Sequence, residues 1–272
     1  MVRSDWVPQN VDISVPSAAR AYDFMLGGAH NFAVDREVAR KINALMPGSR
    51  AAARVNRAFL GRAVRFMAER GIRQFLDIGS GIPTVANVHE VAHSVAPECR
   101  VVYVDKDPIA VAHSELILAD EDRADIVRAD MRDVDGILNS PQVRGLLDFD
   151  QPVGLLMLLM LHWLRDEWGP AELVARYRDA LPDGSYLAVS HASDDHVGTQ
   201  LRNADRAMGD SGSADRITPR EHSAILAMLD GFDLVEPGLV GAGEWRPTGP
   251  GDISDMPDMN MLLYVAVGRV RR

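Results

Sequence analysis

Hydrophobic positions in the first seventy residues recur every three to four positions, which is the spacing of amphipathic helices. The pattern predicts three helices, at about residues 17–26, 34–45 and 49–70. Gly27 and Gly28 end the first helix, because glycine readily adopts the left-handed conformation that follows many helix C-termini. Residues 1–16 show no periodicity, so we expect residues 1–71 to form an arm and a helical cap.

From residue 72 the pattern changes to short apolar runs that alternate with helical periodicity. The runs predict five strands, at 73–78, 100–104, 124–128, 153–164 and 185–190. Helical periodicity lies between them, at about 84–96, 108–119 and 171–181. Nearly continuous apolar strands that alternate with helices are typical of a parallel sheet covered on both faces. Residues 72–272 are therefore predicted to form one α/β domain around a parallel sheet.

The last quarter of the chain adds one more helix and two more strands. Residues 218–221 (TPRE) form a capping box with proline at the first helical position, which predicts a helix that ends at Gly231. Residues 232–235 and 262–267 have the character of strands that pair antiparallel at the sheet edge. The total is a seven-stranded, mostly parallel sheet with one antiparallel edge strand. The loop 241–260 either walls a substrate pocket or lies on the surface.

Composition narrows the class of protein. The 272 residues are 47% hydrophobic, enough for the core of one large domain, and the net charge is −10. That charge disfavours non-specific binding to nucleic acids and anionic membranes. The single cysteine, Cys99, excludes an intramolecular disulfide and a multi-cysteine zinc site. The most apolar run is shorter than the roughly 20 residues of a membrane span, so we expect a cytoplasmic protein without nucleic-acid or membrane partners.

The first predicted strand of the α/β domain runs directly into a glycine turn. The candidate ligand-binding residues of this segment are Asp77, Gly79, Ser80, Gly81 and Pro83. Glycines let a ligand approach the backbone closely and leave N–H groups free to donate. Asp105 and Asp130 end the next two strands, and the carboxyl ends of parallel strands share one crevice. The three acids predict one ligand site, and the alternative is that each acid merely caps a helix or a turn.

The same residues bear on the kind of ligand. A dinucleotide fold prefers a third glycine or alanine where the pyrophosphate meets the helix N-terminus, and the pattern here is Gly79-x-Gly81-x-Pro83. Asp77 would repel a pyrophosphate, whereas it would favour the positive charge of S-adenosylmethionine. The residues therefore favour a cationic cofactor without phosphates.

This set of motifs resembles class I S-adenosylmethionine-dependent methyltransferases. Asp77-x-Gly79-x-Gly81 is similar to the first motif of that superfamily. Asp105 is similar to its ribose-binding acid, and Asp130 with Met131 to its adenine-contacting pair. The chain is still more similar to an actinobacterial S-adenosyl methyltransferase family formerly classed as a domain of unknown function. The segments that carry this resemblance are 16–28, 31–32, 35–36, 56–57, 75–84, 87–89 and 245–247.

The resemblance covers nearly the whole chain from residue 16, and it implies a fold and a cofactor. The implied fold is the Rossmann-like class I methyltransferase fold, and the implied cofactor is S-adenosyl-L-methionine, with S-adenosyl-L-homocysteine as the product. Lys106 and Leu161 adjoin the matching motifs, and we assign them to the cofactor site as well. The resemblance implies no acceptor, because the substrates of the family are largely undefined.

A second group of candidates lies in the first predicted helix and the glycine pair that follows it. The group consists of Arg20, Tyr22, Asp23, Gly28 and Asn31. These residues could form a lid over the cofactor, with the glycines as hinges and an aromatic face for the sulfonium. The alternative is a packing helix with a glycine cap. Arg20 either pairs with the cofactor carboxylate or is a surface charge.

The acceptor side of the site is less well defined. The segment 160–164 (MLHWL) lacks the Asn/Asp-Pro-Pro-aromatic motif of N-methylating class I enzymes and is more similar to small-molecule methyltransferases. His162 is a candidate general base, although methyl transfer needs mainly in-line positioning. His191 opens the polar loop 191–196 and is a second candidate for the acceptor pocket. The His and Asp residues of that loop are more typical of a helix cap than of a metal site, so we expect no metal.

The sequence thus predicts an S-adenosylmethionine-dependent methyltransferase that acts on a small-molecule acceptor by O- or N-methylation. The alternative is a non-catalytic sensor or regulator that binds the same cofactor, since no clear catalytic base motif is present. A nicotinamide-dependent oxidoreductase is a third hypothesis. The sequence leaves the acceptor and the oligomeric state open.

Overall fold

Three helices form the N-terminal part of the computed structural model, which describes residues 12–83 and 86–271. They are α1 (Ala18–Leu26), α2 (Ala33–Leu45) and α3 (Ser49–Glu69), as the periodicity predicts. Gly27 ends α1 in the left-handed conformation, with φ at 89°. Most of the predicted arm and the first two residues of the helix predicted over 84–96 lie outside the described residues.

Among the described residues, eight strands form one sheet. They are β1 (Gln74–Ile78), β2 (Arg100–Asp105), β3 (Ala124–Arg128), β4 (Gly154–Leu158), β5 (Tyr186–Ala192), β6 (Phe232–Leu234), β7 (Val240–Gly241) and β8 (Leu263–Val270). The order is β3-β2-β1-β4-β5-β8-β6, with β7 paired to β8 beside this path. Strands β1 to β5 are parallel, and β8 is antiparallel to β5, β6 and β7. The predicted mostly parallel sheet with an antiparallel edge is confirmed, and the two-residue β7, too short to leave a pattern, is an addition.

Eight further helices in the described part of the chain connect or cover the strands. They are α4 (Val88–Val95), α5 (Pro108–Ile117), α6 (Val134–Leu138), α7 (Pro141–Leu146), α8 (Pro170–Ala180), α9 (Gln200–Asp210), α10 (His222–Met228) and α11 (Pro257–Met261). The sequence does not predict α6, α7 and α11, which have too few residues to show a helical period. It also misses α9, where only Leu201, Ala204 and Met208 are buried. Within the described residues, no helix combines the length and apolar character that a bilayer crossing needs.

Helix α3 belongs to the body of the α/β fold. Its buried residues, among them Phe59 and Phe66, share one core cluster with residues of β1, β2, β4, β5 and β8. The fully buried Trp245 meets both phenylalanine rings edge-on, at centroid distances of 5.3 and 5.6 Å. The core therefore continues across residue 71, where the sequence suggested the end of a separate cap.

A buried arginine fixes the loop 241–260 against α3. The Arg62 guanidinium donates to the carbonyl oxygens of Trp245 and Ala242, at 2.8 and 2.7 Å, and pairs with Asp252 at 3.2 Å. Burial lowers the pKa of Arg62, and the nearby Asp252 carboxylate opposes that change. The loop packs on α3, and none of its residues is among those that line the main cavity. This arrangement decides against the pocket-wall alternative.

Strand β4 ends earlier than the hydrophobic run predicts. The prediction of a strand over 153–164 is wrong beyond Leu158, because Leu161–Trp163 form a 3-10 turn. Leu159 has a positive φ of 54°. Its N–H donates to both the carbonyl oxygen and the hydroxyl of Ser190, at 3.0 and 2.9 Å. The run is apolar because the turn is buried, and not because the chain is extended.

Helix α10 begins later than the capping pattern predicts, so the assignment of residue 218 as its cap is wrong. The Thr218 N–H instead donates to the carbonyl oxygen of His162 at 2.7 Å. The Arg220 guanidinium is buried and donates to the carbonyl oxygens of Leu161 and Leu164, at 3.1 and 2.7 Å. These contacts take priority over helix formation, because carbonyl groups in a buried turn need donors.

Candidate functional site

A cavity of about 430 Å³ opens at the carboxyl ends of β1, β2, β3 and β4, and helices α1, α2, α3 and α9 contribute its other walls. Open α/β sheets bind ligands at this edge, and the volume is in the range of small-molecule sites. Ten of the residues predicted for a site line the cavity. They are Tyr22, Asp77, Gly79, Ser80, Gly81, Asp105, Lys106, Asp130, Met131 and His162.

The turn after β1 has positive φ at both glycines, 74° at Gly79 and 69° at Gly81. The N–H groups of Gly79 and Ser80 donate to the carbonyl oxygen of Val104, at 2.7 and 3.1 Å. The Gly81 N–H donates to Oδ2 of Asp105 at 2.7 Å. The turn is therefore held by the neighbouring strand β2, and its backbone shape follows from the two glycines.

A small pocket and the turn after β4 border the glycine turn on its two sides. Pro83 lies in a small adjoining pocket together with Arg57 and Asn87. On the other side, a Cβ at Gly79 would overlap the side chain of Met160, which lies in the turn after β4. Glycine is thus needed at position 79 for the close approach of the two turns as well as for the backbone conformation.

Two buried carboxyl groups stand behind the turn. Asp77 and Asp105 are 5% and 7% exposed. Burial raises the pKa of Asp77 to about 7, although the positive charge of Arg57 acts in the opposite direction. Burial also raises the pKa of Asp105 to about 6, against the backbone N–H groups that it accepts. A positively charged ligand in this part of the cavity would lower both values and would be attracted by both groups.

Charged side chains at the rim of the cavity are paired with one another. Asp130 forms an ion pair with Arg132 at 2.8 Å, and the hydrogen bonds from this arginine lower the pKa of Asp130. The guanidinium groups of Arg132 and Arg165 both lie over the Trp168 ring, at 4.8 and 5.0 Å from its centroid. The third predicted acid thus differs from the other two, because its charge is already balanced.

Asp215, in the segment after α9, joins the roof of the cavity to its rim. Its carboxylate accepts a hydrogen bond from the N–H of Ala18 at 3.0 Å and from Nζ of Lys106 at 2.7 Å. An acid at this place also interacts favourably with the N-terminal end of α1. Lys106, predicted as a cofactor contact, lines the cavity while it is bound to Asp215.

The aromatic candidate on α1 belongs to a buried polar network. The Tyr22 hydroxyl donates to the carbonyl oxygen of Ala53 at 3.1 Å and accepts from Nδ2 of Asn56 at 3.0 Å. Oδ1 of Asn56 accepts from the Ser190 hydroxyl at 2.6 Å, and that hydroxyl accepts from the N–H of Leu159. Burial raises the pKa of Tyr22. The network ties α1 and α3 to the end of β4.

Three further residues of the predicted lid form a closed set beside the cavity. Oδ2 of Asp23 accepts from the His30 N–H at 3.0 Å and from Nδ2 of Asn31 at 2.7 Å. Asn31 also donates to the carbonyl oxygen of Gly28 at 2.9 Å, and a Cβ at Gly28 would overlap the Asp23 carboxylate. None of Asp23, Gly28 and Asn31 is among the cavity-lining residues. Their contacts hold the loop after α1, which differs from the predicted contact with a ligand.

Arg20 is neither a cavity group nor a surface charge. It is 4% exposed and lies outside the cavity lining. Its guanidinium pairs with Asp35 at 3.4 Å and with Asp107 at 3.6 Å, and it donates to the carbonyl oxygen of Val15 at 2.8 Å. The two carboxylates balance its charge, so this structure gives Arg20 the role of joining α1 to α2 and α5.

The two candidate histidines occupy different positions. His162 lines the cavity, and burial holds its pKa well below the ordinary value. His191 is fully buried outside the lining, with Nε2 3.0 Å from Nη1 of Arg220 and Nδ1 2.8 Å from the Ala192 carbonyl oxygen. Because a guanidinium only donates and a carbonyl only accepts, the proton of His191 is on Nδ1. Burial lowers the pKa of His191 to about 4, so both imidazoles are neutral at pH 7.

Sequence reasoning missed the residues that support the cavity from behind. Arg220 anchors the turn after β4, and Leu161, predicted to contact the cofactor, is fully buried with its carbonyl oxygen on this arginine. Asn56 and Ser190 connect the same turn to α3 and β5. The one available signal was the pair of polar residues at 56–57 within an otherwise apolar helix face.

Comparison with known proteins identifies the family. A family model described as S-adenosyl methyltransferase matches residues 4–271. A solved protein from Thermobifida fusca YX, provisionally described as a methyltransferase, is 40% identical with a TM-score of 0.91, and the match covers 99% of this chain and 100% of that one. A DUF574 family protein from Streptomyces avermitilis is 37% identical with a TM-score of 0.90, covering 96% and 99% of the two chains.

A more distant likeness concerns the fold alone. The plantazolicin methyltransferase BamL, solved with S-adenosylhomocysteine, is 10% identical with a TM-score of 0.56, and the match covers 93% of this chain and 96% of that one. No curated protein matches the chain. The predicted Rossmann-like class I methyltransferase fold is confirmed. The chain belongs to the S-adenosyl methyltransferase family, whose cofactor is S-adenosyl-L-methionine.

Proposed function

We propose that this chain transfers a methyl group from S-adenosyl-L-methionine to a small-molecule acceptor, at oxygen or nitrogen. The observation that carries the proposal is the pair of buried acids behind the glycine turn, Asp77 and Asp105. A buried carboxylate without compensation is costly, and a nearby positive charge reduces that cost. The sulfonium and ammonium groups of the cofactor suit this wall, whereas the pyrophosphate of a nicotinamide dinucleotide does not.

The residues present fit the cofactor. Burial raises the pKa of Asp77, so a positively charged group of a ligand would stabilise its carboxylate. Asp105 uses one lone pair on each oxygen for the N–H groups of Gly81 and Asp107, which leaves others for ribose hydroxyls. A Cβ at Gly81 would meet nothing within 4 Å, so the turn borders open space.

In this proposal one set of residues holds the cofactor and another positions the first set. The holding residues are Tyr22, Asp77, Gly79, Ser80, Gly81, Pro83, Asp105, Lys106, Asp130 and Met131. The positioning residues are Arg20, Asp23, Gly28, Asn31 and Leu161, which are themselves outside the cavity lining.

The chain contributes binding, orientation and exclusion of water to the proposed reaction. When bound, the cofactor supplies an electrophilic methyl group. Leu158 and Met160 line the cavity at the end of β4, and their apolar side chains would keep water from the reacting atoms. Holding the acceptor in line is the main requirement of such a transfer. His162 lines the same wall as a neutral imidazole, so we assign it to orienting the acceptor, and we assign His191 no contact with it.

Calorimetry tests the cofactor site. We expect both S-adenosylmethionine and S-adenosylhomocysteine to bind the wild-type chain. Asp105→Ala should weaken binding by about 1.5–3 kcal/mol, the scale of hydrogen bonds to charged groups. Asp125→Ala, on β3 with its carboxylate on the N–H of Ile126, is the matched control and should leave the affinity unchanged. Absence of binding, or equal affinities in the two variants, would contradict the proposal.

Labelled cofactor tests the transfer step. Protein incubated with methyl-labelled S-adenosylmethionine and a metabolite extract should label a small molecule, and the Asp105→Ala variant should label far less. Intact cofactor binding with no labelled product would favour the non-catalytic sensor instead. Competition between S-adenosylhomocysteine and NAD for the same site would favour the oxidoreductase hypothesis.

A further inference from the structure

The cavity continues from the acidic turn into a second, apolar region. We call this region the apolar lobe. Its walls come from α1, α2, α3, α9 and the start of β8. They are Met25, Ile42, Met46, Leu60, Leu201, Ala204, Met208, Leu262 and Leu263. In the sheet, β8 and β5 lie on the opposite side of β1 from β2 and β3, so Leu263 at the start of β8 is separated from Asp105 at the end of β2 by the centre of the sheet.

Several charged residues of the cavity form ion pairs with one another or with neighbouring residues. Ion pairs join Lys106 to Asp215 at 2.7 Å and Arg216 to Asp205 at 2.6 Å. Similar pairs hold the Asp130 and Glu167 carboxylates on rim arginines. None of the nine residues of the lobe is charged.

The polar groups that border the lobe already have partners. The Tyr22 hydroxyl and the Asn56 amide bind each other, and Asn56 also binds the Ser190 hydroxyl. The Ser49 hydroxyl donates to Oδ1 of Asn43 at 3.1 Å. A charged group of a ligand placed in the lobe would therefore lose its hydration without gaining a partner. Burial of an unpaired charge is strongly unfavourable.

We propose that the apolar lobe is the acceptor subsite and that the acceptor is an uncharged, largely apolar molecule. The proposal rests on the proposed function, because only a methyltransferase has an acceptor. It narrows that function by excluding carboxylates, phosphates and permanent cations at the end of the acceptor that enters the lobe. The reacting oxygen or nitrogen then lies between the lobe and the glycine turn, on the side of His162.

Two fluorescent probes that share their rings test the preference for an uncharged ligand. N-phenyl-1-naphthylamine is neutral, and 1-anilinonaphthalene-8-sulfonate adds one sulfonate to the same rings. Both are titrated into the full chain saturated with S-adenosylhomocysteine. We expect the neutral probe to bind at least tenfold more tightly. Equal affinity, tighter binding of the sulfonate or no binding of the neutral probe would overturn the proposal.

Two substitutions on α9 locate the probe. Ala204→Phe fills the lobe and should weaken the neutral probe at least tenfold, with little effect on S-adenosylhomocysteine. Ala207→Phe, on the same helix but outside the lining, is the matched control and should change neither ligand. If Ala204→Phe does not fold, Met25→Trp at a half-buried wall position replaces it. If neither lobe substitution changes the affinity of the neutral probe, the assignment of the probe to the apolar lobe is refuted.

The two proposals fail in different ways. If S-adenosylhomocysteine binds and the neutral probe does not, the acceptor class is wrong and the methyltransferase proposal stands. If the probe occupies the lobe in cofactor-free protein and S-adenosylhomocysteine does not bind at all, the proposed function fails, and the lobe is then no acceptor subsite.

Discussion

The turns after β1 and β4 contact each other at the wall of the cavity, yet different interactions fix their conformations. The first turn relies on its own backbone, with positive φ at Gly79 and Gly81 and bonds to the adjacent strand. The second turn is held from behind, by Ser190 at its start and by Arg220 along its length. A locally encoded turn leaves its side chains free to face a ligand, whereas an anchored turn uses its polar groups for support.

This difference has an energetic counterpart. The first turn stands over two buried acids whose pKa values are raised by burial, an effect that the nearby positive charges of Arg57 and Lys106 offset only in part. The second turn has its buried carbonyl groups satisfied by a guanidinium, which interacts with Asp166 at 2.7 Å as well. We therefore expect neutralisation of a buried acid in the first region to relieve a cost at neutral pH, and loss of the guanidinium in the second region to create one.

The largest expected effect concerns Asp77→Asn. The folded chain keeps this proton up to about pH 7, whereas the unfolded chain releases it near the ordinary value, close to 4. The contribution of Asp77 to the free energy of unfolding is therefore fully present below about pH 4. As the pH rises to about 7 and above, this contribution is lost, and the free energy of unfolding falls by up to about 4 kcal/mol. We expect ligand-free Asp77→Asn to lose less stability than wild type between pH 4 and pH 8 in urea titrations.

Asp130→Asn is the control for that experiment. Its pKa is lowered by Arg132, so the stability that it contributes is present at neutral pH and is lost as the pH falls. Asp130→Asn should therefore lose less stability than wild type as the pH falls below neutrality. The difference should be smaller than for Asp77→Asn, because the ion pair with Arg132 is partly exposed. Parallel pH profiles for wild type and Asp77→Asn would contradict the burial of an uncompensated carboxyl.

The second effect concerns the anchored turn. Arg220→Met removes the donors of two buried carbonyl groups, those of Leu161 and Leu164. Hydrogen bonds to charged groups contribute about 1.5–3 kcal/mol each, so we expect the free energy of unfolding to fall by about 3 kcal/mol. The control is Arg165→Met, at an exposed ion pair with Glu167 in the loop that Arg220 anchors. It should change the free energy of unfolding by less than about 0.5 kcal/mol. Similar losses in the two variants would mean that the anchor is not Arg220.

The smallest effect tests the contact between the two turns. Gly79→Ala should cost about 1–2 kcal/mol, because alanine is strained at this φ and its Cβ overlaps Met160. Adding Met160→Ala should recover part of that loss, since the overlap disappears. Gly81→Ala has the same backbone strain and open space around its Cβ, so Met160→Ala should not rescue it. Equal rescue at both positions would contradict the contact.

The same contrast explains how much the sequence predicted. Glycines, alternating strands and acids at strand ends are local signals, and they were sufficient for the sheet and for six residues of the cavity wall, whereas Lys106 and Met131 came from the family resemblance. The end of β4 depends on Ser190 and Arg220, which lie about 30 and 60 positions further along the chain. Arg20 illustrates the same limit, because no spacing rule shows that Asp35 and Asp107 both reach its guanidinium.

The Asp215 carboxylate joins the N-terminus of α1 to Lys106 on the opposite rim, and this arrangement has a kinetic consequence. The Lys106 side chain is 58% exposed, so its ion pair is weak and is screened by salt. Added salt weakens an exposed ion pair of this kind. Exchange of whatever the cavity holds should therefore become faster as salt is added, whereas the fold beneath it stays unchanged.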